Sequence, residues 1–175
     1  MKSKLLDLSK ISPKIPDNLK EFDPSYVTRY AITSELIKFA SGKDVKKIKV
    51  LDVGGYNGAI RDFIPDCDIT ILDMVDDDNT EKYVKASGAD IPFKDKTFDI
   101  VISCDTLEHI PADERDKFIQ ELIRVSKNYV FLCAPFGSNS VENAEKVADT
   151  FYESMTGESY IWLKEHKEFV DIYEF

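Results

Sequence analysis

The stretch that most constrains this chain's fold is an apolar run that ends in a glycine turn. It reads KVLDVGGYNGAI over residues 49–60, with glycines at Gly54, Gly55 and Gly58 and an acidic residue, Asp52, just before them. Glycines after a buried strand allow a tight turn and let the backbone approach a ligand closely. The pattern predicts a strand, a ligand-binding turn and the start of a helix.

Five segments of the chain are predicted strands. They cover residues 48–53, 68–74, 81–86, 98–104 and 128–134. The first, fourth and fifth are nearly continuous apolar runs, which is typical of parallel strands covered on both faces. The sequence therefore predicts an α/β fold, a Rossmann-like and mostly parallel sheet with helices on both faces.

Two helices complete this pattern. Asp23 and Pro24 are a helix-start signal, and Gly42 ends that helix. Its apolar residues at helical spacing are Ile32, Leu36, Phe39 and Ala40. A crossover helix is predicted over 112–126, where Phe118, Ile119, Leu122 and Ile123 form an apolar stripe.

Length and charge limit the organisation and the partners. The 175 residues fit one domain over 23–175, preceded by an irregular arm over 1–22. A net charge of −10 disfavours nucleic acid and acidic membrane surfaces as partners. The three cysteines lack metal-ligand spacing, and the chain has neither a signal-peptide core nor a run of about 18 apolar residues. We expect reduced thiols and a cytoplasmic location.

The residues of the glycine turn discriminate between ligands. A dinucleotide fingerprint would need glycines where Tyr56 and Ala59 stand, and a phosphate loop would need Lys and Ser or Thr after Gly58. The remaining pattern, D-x-G-x-x-x-G, places the Asp52 carboxylate at the turn. A carboxylate there repels phosphate and attracts an ammonium group.

The ends of the next strands supply further polar groups. Asp73 follows Gly54 by 19 residues, at the distance where a carboxylate accepts hydrogen bonds from both ribose hydroxyls. Met74 can lie against a flat base, and Asp90 can accept from an exocyclic amine while the amides after it address ring nitrogens. An ammonium, a ribose and an adenine together describe S-adenosylmethionine.

The segments VLDVGGYNG, ILDM, GADIPFKDKTFDIVISCDTLEHIP and FIQELIRVSKNYVFLCAP resemble the motifs of class I S-adenosylmethionine-dependent methyltransferases. The likeness spans roughly residues 24–136 and is closest to the small-molecule type that includes ubiquinone-pathway enzymes. The resemblance implies a cofactor site for which the residues are Asp52, Gly54, Gly55, Tyr56, Gly58, Asp73, Met74, Asp90, Ile91, Cys104 and Arg29.

The resemblance also implies a role for most of these residues. Asp52, Gly54 and Gly58 shape the methionine end, with the carbonyl of Cys104 facing the ammonium. Asp73 holds the ribose, while Met74, Asp90 and Ile91 surround the adenine. The family often has glycine where Tyr56 stands, so this ring can itself cover the cofactor. Arg29 and Tyr30 can close over the cofactor carboxylate.

The expected reaction is methyl transfer to oxygen or nitrogen of a small-molecule or glycan-like acceptor. No metal is implied. For His109 two interpretations stay open, a base near the acceptor and a structural position in the loop after the fourth strand. A cofactor-binding or partner-binding module of the same fold without turnover is the alternative function.

The class I fold normally continues beyond its fifth strand, and residues 137–175 offer at most a short final segment, FVDIYEF. We therefore expect a domain that lacks the last strands, taken from a longer protein. The fifth strand then lies near an uncovered sheet edge, where a second copy of the chain can pair as a homodimer.

Overall fold

The computed structural model describes residues 24–42, 45–77, 80–135, 137 and 139–159. The elements in chain order are α1 (Pro24–Ser41), β1 (Lys49–Val53), α2 (Ile60–Phe63), β2 (Asp68–Asp73), β3 (Tyr83–Lys85), β4 (Phe98–Cys104), α3 (Ala112–Val125), β5 (Ser126–Cys133) and α4 (Asn139–Thr156). Short 3-10 turns cover Val45–Lys47 and Leu107–His109. The predicted arm and the FVDIYEF segment lie outside the described residues.

The strands form one parallel sheet in the order β3-β2-β1-β4-β5. The order reverses beside β1, because the chain first builds outward through β2 and β3 and then returns to the other side of β1 with β4. In open α/β sheets, ligands bind at the carboxyl ends of the strands at such a reversal. The predicted Rossmann-like architecture is confirmed, and the glycine turn after β1 lies at the expected place.

Helices cover both faces of the sheet, as predicted. On one face, α1 and α2 pack against side chains such as Val50, Ile71 and Ile102. On the other face, α3 packs against a second set that includes Leu51 and Val101. Alternate residues of β1 therefore enter opposite halves of the core, which explains its unbroken apolar run.

The predicted helix bounds are correct to within a residue, and the apolar residues that marked α1 are not all on its buried face. Ile32 and Phe39 are 41% and 50% exposed, whereas Val27, Ala31 and Ile37 are buried in the core. The helix carries apolar residues on both sides, so their spacing alone does not select a face. On α3 the predicted stripe is partly correct, since Phe118 and Leu122 are fully buried while Ile123 is 60% exposed.

Within the part of the chain that the structure describes, β5 is an edge strand, with β4 as its neighbour. Tyr129 on β5 is 45% exposed and stacks on Phe131 with ring centroids 6.1 Å apart. Pairing of two chains at this edge stays a prediction. Of the described helices, none is long and apolar enough to cross a membrane.

Candidate functional site

The glycine turn after β1 is held by backbone hydrogen bonds and by positive φ angles. Gly54 has a φ of 77°, and its N–H donates to the carbonyl of Leu72 at 2.8 Å. A side chain at Gly54 would overlap Thr106, which lies in the loop after β4. Gly58 has a φ of 69°, and a Cβ there would lie 3.3 Å from the Nε of Arg61. Both glycines are therefore required by the turn itself.

Asp52 is a buried carboxylate without a partner. Asp52 is 1% exposed, and neither of its carboxylate oxygens has a hydrogen-bond partner. Burial above all, together with the field of Asp73, raises the pKa of Asp52 to about 7, while Arg61 acts in the opposite direction. A Cβ on Gly55 would overlap this carboxyl group, so the absent side chain makes room for it. A buried, unpartnered carboxylate is suited to a ligand that brings a cationic donor.

Asp73 joins the end of β2 to the glycine turn. Its Oδ2 accepts from the N–H of Tyr56 at 3.0 Å, and its Oδ1 accepts from Met74 at 2.7 Å and from Val75 at 3.2 Å. A carboxylate has about four lone-pair sites, so acceptor capacity remains for hydroxyl groups of a ligand. The structure thus brings Asp52 and Asp73 to one site, as predicted from the strand ends.

The side chains that the sequence assigned to the adenine have mixed surroundings. Met74 is 68% exposed and Tyr56 is 50% exposed, so both have a free face at this edge. Asp90 is exposed in the loop after β3. Each of these three placements is compatible with a bound base, and their contact with one stays a prediction.

Ile91 differs from its predicted role. Its side chain is 3% exposed and packs in the core, and its N–H donates to Oε2 of Glu121 at 2.8 Å. Arg124 in turn donates to Oε2 of Glu121 at 2.7 Å and to the carbonyl of Ile91 at 2.9 Å. The amide is therefore engaged by α3, and Ile91 anchors the loop that carries Asp90.

Two cysteines face each other where β4 and β5 end. Cys104 and Cys133 are direct partners in the strand register, and a hydrogen bond between their thiols lowers the pKa of Cys133 to about 6. The same bond, with burial, raises the pKa of Cys104. The carbonyl of Cys104, predicted to face an ammonium group, accepts from Oγ1 of Thr106 at 3.3 Å. Its second lone pair leaves it capable of another contact.

Arg29 lies at the same edge, but Tyr30 does not. Arg29 on α1 forms an ion pair with Asp105, the residue after β4, which has a positive φ of 50°. This contact brings Arg29 beside the site, and closure over a cofactor carboxylate stays a prediction. Tyr30 is 6% exposed and stacks on Phe63 with ring centroids 6.0 Å apart, so its predicted role at the cofactor is wrong.

A second buried carboxylate follows β4, at Glu108. The residue is 2% exposed and its Oε2 has no hydrogen-bond partner. Burial above all raises the pKa of Glu108 to about 7. Sequence reasoning selected the neighbouring His109, which is half-buried and donates its backbone N–H to the carbonyl of Thr106 at 3.0 Å. No periodicity in TLEHIP shows which of the two adjacent side chains points inward.

A surface cavity of about 250 Å³ lies at the amino ends of the strands, opposite the carboxyl ends that carry Asp52 and Asp73. Its lining comes from the amino ends of the strands and the loops beside them: Lys49, Asp68, Thr70, Lys82, Phe93, Thr97 and Phe98. Ligands of open α/β sheets bind at the carboxyl ends. We therefore assign the functional site to the edge that carries Asp52 and Asp73.

Comparison with known proteins bears on the class of the domain. Residues 51–133 match the family described as "Methyltransferase domain". This region is therefore similar to methyltransferase domains, in agreement with the predicted class of protein.

Individual relatives are distant. An uncharacterized methyltransferase of Mycolicibacterium gilvum (strain PYR-GCK) is 25% identical over 130 residues, which are 63% of this chain and 50% of that protein. The chain thus spans about half the length of this relative. A SAM-dependent methyltransferase from Archaeoglobus fulgidus superposes with a TM-score of 0.54 at 14% identity, covering 71% of this chain and 65% of the other.

A third similar structure contains ligands. The 1,6-didemethyltoxoflavin-N1-methyltransferase of Burkholderia thailandensis, with bound 1,6-didemethyltoxoflavin and S-adenosylhomocysteine, has a TM-score of 0.51 and 16% identity. The match covers 61% of this chain and 52% of that one. At such low identity, this likeness and that to the Archaeoglobus structure show a shared fold.

Proposed function

We propose that this chain binds S-adenosylmethionine at the carboxyl edge of its sheet and transfers the methyl group to oxygen or nitrogen of a small-molecule or glycan-like acceptor. The observation that carries the proposal is the Asp52 carboxylate, 1% exposed, with both oxygens lacking partners beneath the turn at Gly55. S-Adenosylmethionine carries an ammonium group that can supply the missing donors.

The residues present fit the other parts of the cofactor as well. Asp73 retains acceptor sites for ribose hydroxyls while its backbone contacts hold the turn in place. Tyr56 has an exposed aromatic ring and Met74 an exposed, flexible apolar side chain, and either can contact a flat base. Arg29 supplies a cation at the same edge, where it can alternate between Asp105 and a ligand carboxylate.

The chain's own contribution to the reaction is mainly alignment. A bound sulfonium supplies an electrophilic methyl group, so the protein has to orient the acceptor atom in line with it and limit access of water. Asp52 and Asp73 fix the two ends of the cofactor relative to the sheet. The loop after β4 and the end of β5 then form the side from which an acceptor approaches.

The nature of the acceptor draws support from charge and from fold. The net charge of −10 disfavours polyanions such as nucleic acid. The Burkholderia N1-methyltransferase structure holds a small-molecule acceptor on a domain of the same fold. A small acceptor is therefore compatible with this architecture.

Calorimetric titration and a transfer assay test the proposal together. We titrate three proteins with S-adenosylhomocysteine: the wild type, Asp73→Ala and the control Asp66→Ala. Asp66 is a suitable control because it is an exposed carboxylate before β2, away from the carboxyl ends of the strands. Each protein is then incubated with methyl-labelled S-adenosylmethionine and a metabolite extract. We expect binding and labelled product for wild type and Asp66→Ala, with both reduced for Asp73→Ala.

The outcomes separate the two candidate functions. Binding without transfer to any extract fraction would favour the module without turnover. Absence of binding by the folded wild-type protein would overturn the cofactor proposal itself.

A further inference from the structure

The structure contains a second buried carboxylate with an unpartnered oxygen, and the proposed cofactor contacts do not involve it. Glu108 follows β4 in the 3-10 turn Leu107–His109, is 2% exposed, and has no partner for Oε2. Leaving a buried acceptor unpaired is unfavourable, and more so for a charged group. Such a cost is typical of positions with a function.

The surroundings of Glu108 place it on the side of the site that β4 and β5 form. The charged and titratable groups whose fields act on it are Arg29 from α1, Cys133 at the end of β5, and Glu145 from α4. Arg29 is itself paired with Asp105, the residue directly after β4. Glu108 therefore lies near the carboxyl ends of both strands.

The net charge of this group of side chains is negative. The Arg29 cation is paired with Asp105, and the carboxylates of Glu108 and Glu145 add two further negative charges around it. Cys133 adds a further negative charge when its thiol ionises, and its contact with the Cys104 thiol lowers its pKa. A cationic acceptor would be attracted here, whereas an anionic one would meet like charges.

We propose that Glu108 binds the ammonium form of an amine acceptor and takes the proton that this acceptor must lose, so that the chain is an N-methyltransferase of cationic amines. This proposal rests on the proposed function and narrows it. The groups around Glu108 are partly exposed, with the side chain of Arg29 at 34% and that of Asp105 at 23%. A proton acceptor works from hydrogen-bond distance or through one water, so the proposal requires the acceptor nitrogen to approach Oε2 that closely.

The proton and electron balance of the step is complete. The acceptor ammonium gives one proton to the Glu108 carboxylate, leaving a neutral amine and a carboxylic acid. The amine lone pair then forms the N–C bond while the C–S bond breaks and its electron pair stays on sulfur. Glu108 returns its proton to solvent after the methylammonium product leaves. The pKa of Glu108, about 7, is suited to both events near neutral pH.

The first test identifies the chemical class of the product. Wild-type protein, methyl-labelled S-adenosylmethionine and a metabolite extract are incubated, and the small molecules are separated on cation- and anion-exchange resins. We expect label in a molecule that the cation exchanger retains at pH 7. Label only in neutral or acidic products would overturn the amine assignment and leave the proposed function intact. Label in no fraction would overturn the proposed function.

The second test uses Glu108→Gln, which keeps the side-chain shape, with Glu114→Gln on the exposed start of α3 as the control. At pH 7 we expect a rate of labelling at least about 100-fold lower for Glu108→Gln. The wild-type rate should level off above about pH 7, whereas the Glu108→Gln rate should keep rising as solvent deprotonates the amine. Identical pH profiles for the two proteins would overturn the assignment.

A third measurement does not depend on turnover. Infrared difference spectra of the S-adenosylhomocysteine complex, wild type against Glu108→Gln, report the protonated carboxylic acid at this position. We expect its band to be present at pH 6 and to fade through pH 7. A carboxyl group that stays ionised down to pH 5 would contradict the role of proton acceptor.

Discussion

At the scale of single residues, the cost of burying Asp52 explains how this site can bind a cation. The free protein holds a carboxylate whose pKa is raised to about 7, so near neutral pH it is partly protonated. An ammonium ligand favours the ionised form, and binding must therefore release protons below pH 7. We expect the affinity for S-adenosylhomocysteine to rise between pH 5.5 and 7. Titration in two buffers of different ionisation enthalpy measures the released protons.

Asp52→Asn removes that dependence. The variant keeps the side-chain shape but cannot ionise, so its affinity should be lower at pH 7 by about tenfold to a hundredfold, the equivalent of about one charge-assisted hydrogen bond. Its affinity should also be nearly constant from pH 5.5 to 7. A variant that still releases protons on binding would show that another group is the titrating partner.

Asp73 gives a second prediction at this scale. Asp73→Ala should weaken S-adenosylmethionine binding by about tenfold to a hundredfold through loss of its bonds to the ribose hydroxyls. Asp73→Asn keeps one acceptor and should be intermediate. Calorimetric titration of the three proteins checks the order, and equal affinities would mean that Asp73 does not hold the ribose.

The structure adds an effect of Asp73 on stability. The carboxylate accepts from the backbone N–H groups of Tyr56, Met74 and Val75. Asp73→Ala leaves those donors to water and loosens the contact between β2 and the glycine turn. We therefore expect its thermal midpoint without cofactor to fall by a few degrees, since about 1 kcal/mol shifts the midpoint by roughly 2–4 °C in a domain of this size.

At the scale of elements, the glycine turn can be tested with a matched pair of variants. Gly54 and Gly42 have nearly the same positive φ, 77° and 72°, but only Gly54 faces a neighbour. Gly42→Ala should therefore cost only the strain of a left-handed conformation, about 1–2 kcal/mol. Gly54→Ala should cost more, because its Cβ would overlap Thr106, and should also lower cofactor affinity. Thermal melts and titrations of both variants check this, and equal effects would contradict it.

The strands could be predicted from the sequence because burial on both faces demands continuous apolar runs. The bounds of β4, Phe98–Cys104, agree with the prediction at both ends. The predicted third segment shrinks to Tyr83–Lys85, which is at the edge of the sheet among the described strands and whose three residues are only half-buried or exposed. Where one side of a strand lacks a neighbour, hydrophobicity no longer marks its ends.

The site was predictable as far as it depends on strand ends, and not where it depends on packing between distant segments. Asp52 and Asp73 follow from their positions on β1 and β2. The amide of Ile91 is engaged by Glu121, a residue 30 positions away, and that contact leaves no local pattern. The inward direction of Glu108 likewise depends on how the loop after β4 meets α1 and α4.

At the scale of the whole molecule, two opposed sets of carboxyl groups shape the pH dependence of stability. Asp99 and Glu121 have lowered pKa values, the latter chiefly through its hydrogen bond to Arg124. Their contribution to the free energy of unfolding is present above about pH 4.5, and it is lost as the pH falls through the lowered pKa. Asp52 and Glu108 have raised pKa values near 7, because the folded protein favours their protonated forms. Their contribution to the free energy of unfolding is complete below about pH 4 and is lost as the pH rises through 7.

The protein without cofactor should therefore be most stable in mildly acid solution and lose stability between pH 5 and 8. The double variant Asp52→Asn/Glu108→Gln isolates the cause, because the titration of other groups, including the Cys133 thiol, is largely common to both proteins and cancels in the difference. Replacing the two carboxyl groups also shifts the thermal midpoint of the variant by an amount that is nearly independent of pH. The thermal midpoint of the wild type should fall relative to the variant by on the order of 10 °C from pH 5 to 8. Calorimetric melts at intervals of half a pH unit measure this difference, and a difference that stays constant with pH would show that neither carboxyl group titrates between these limits.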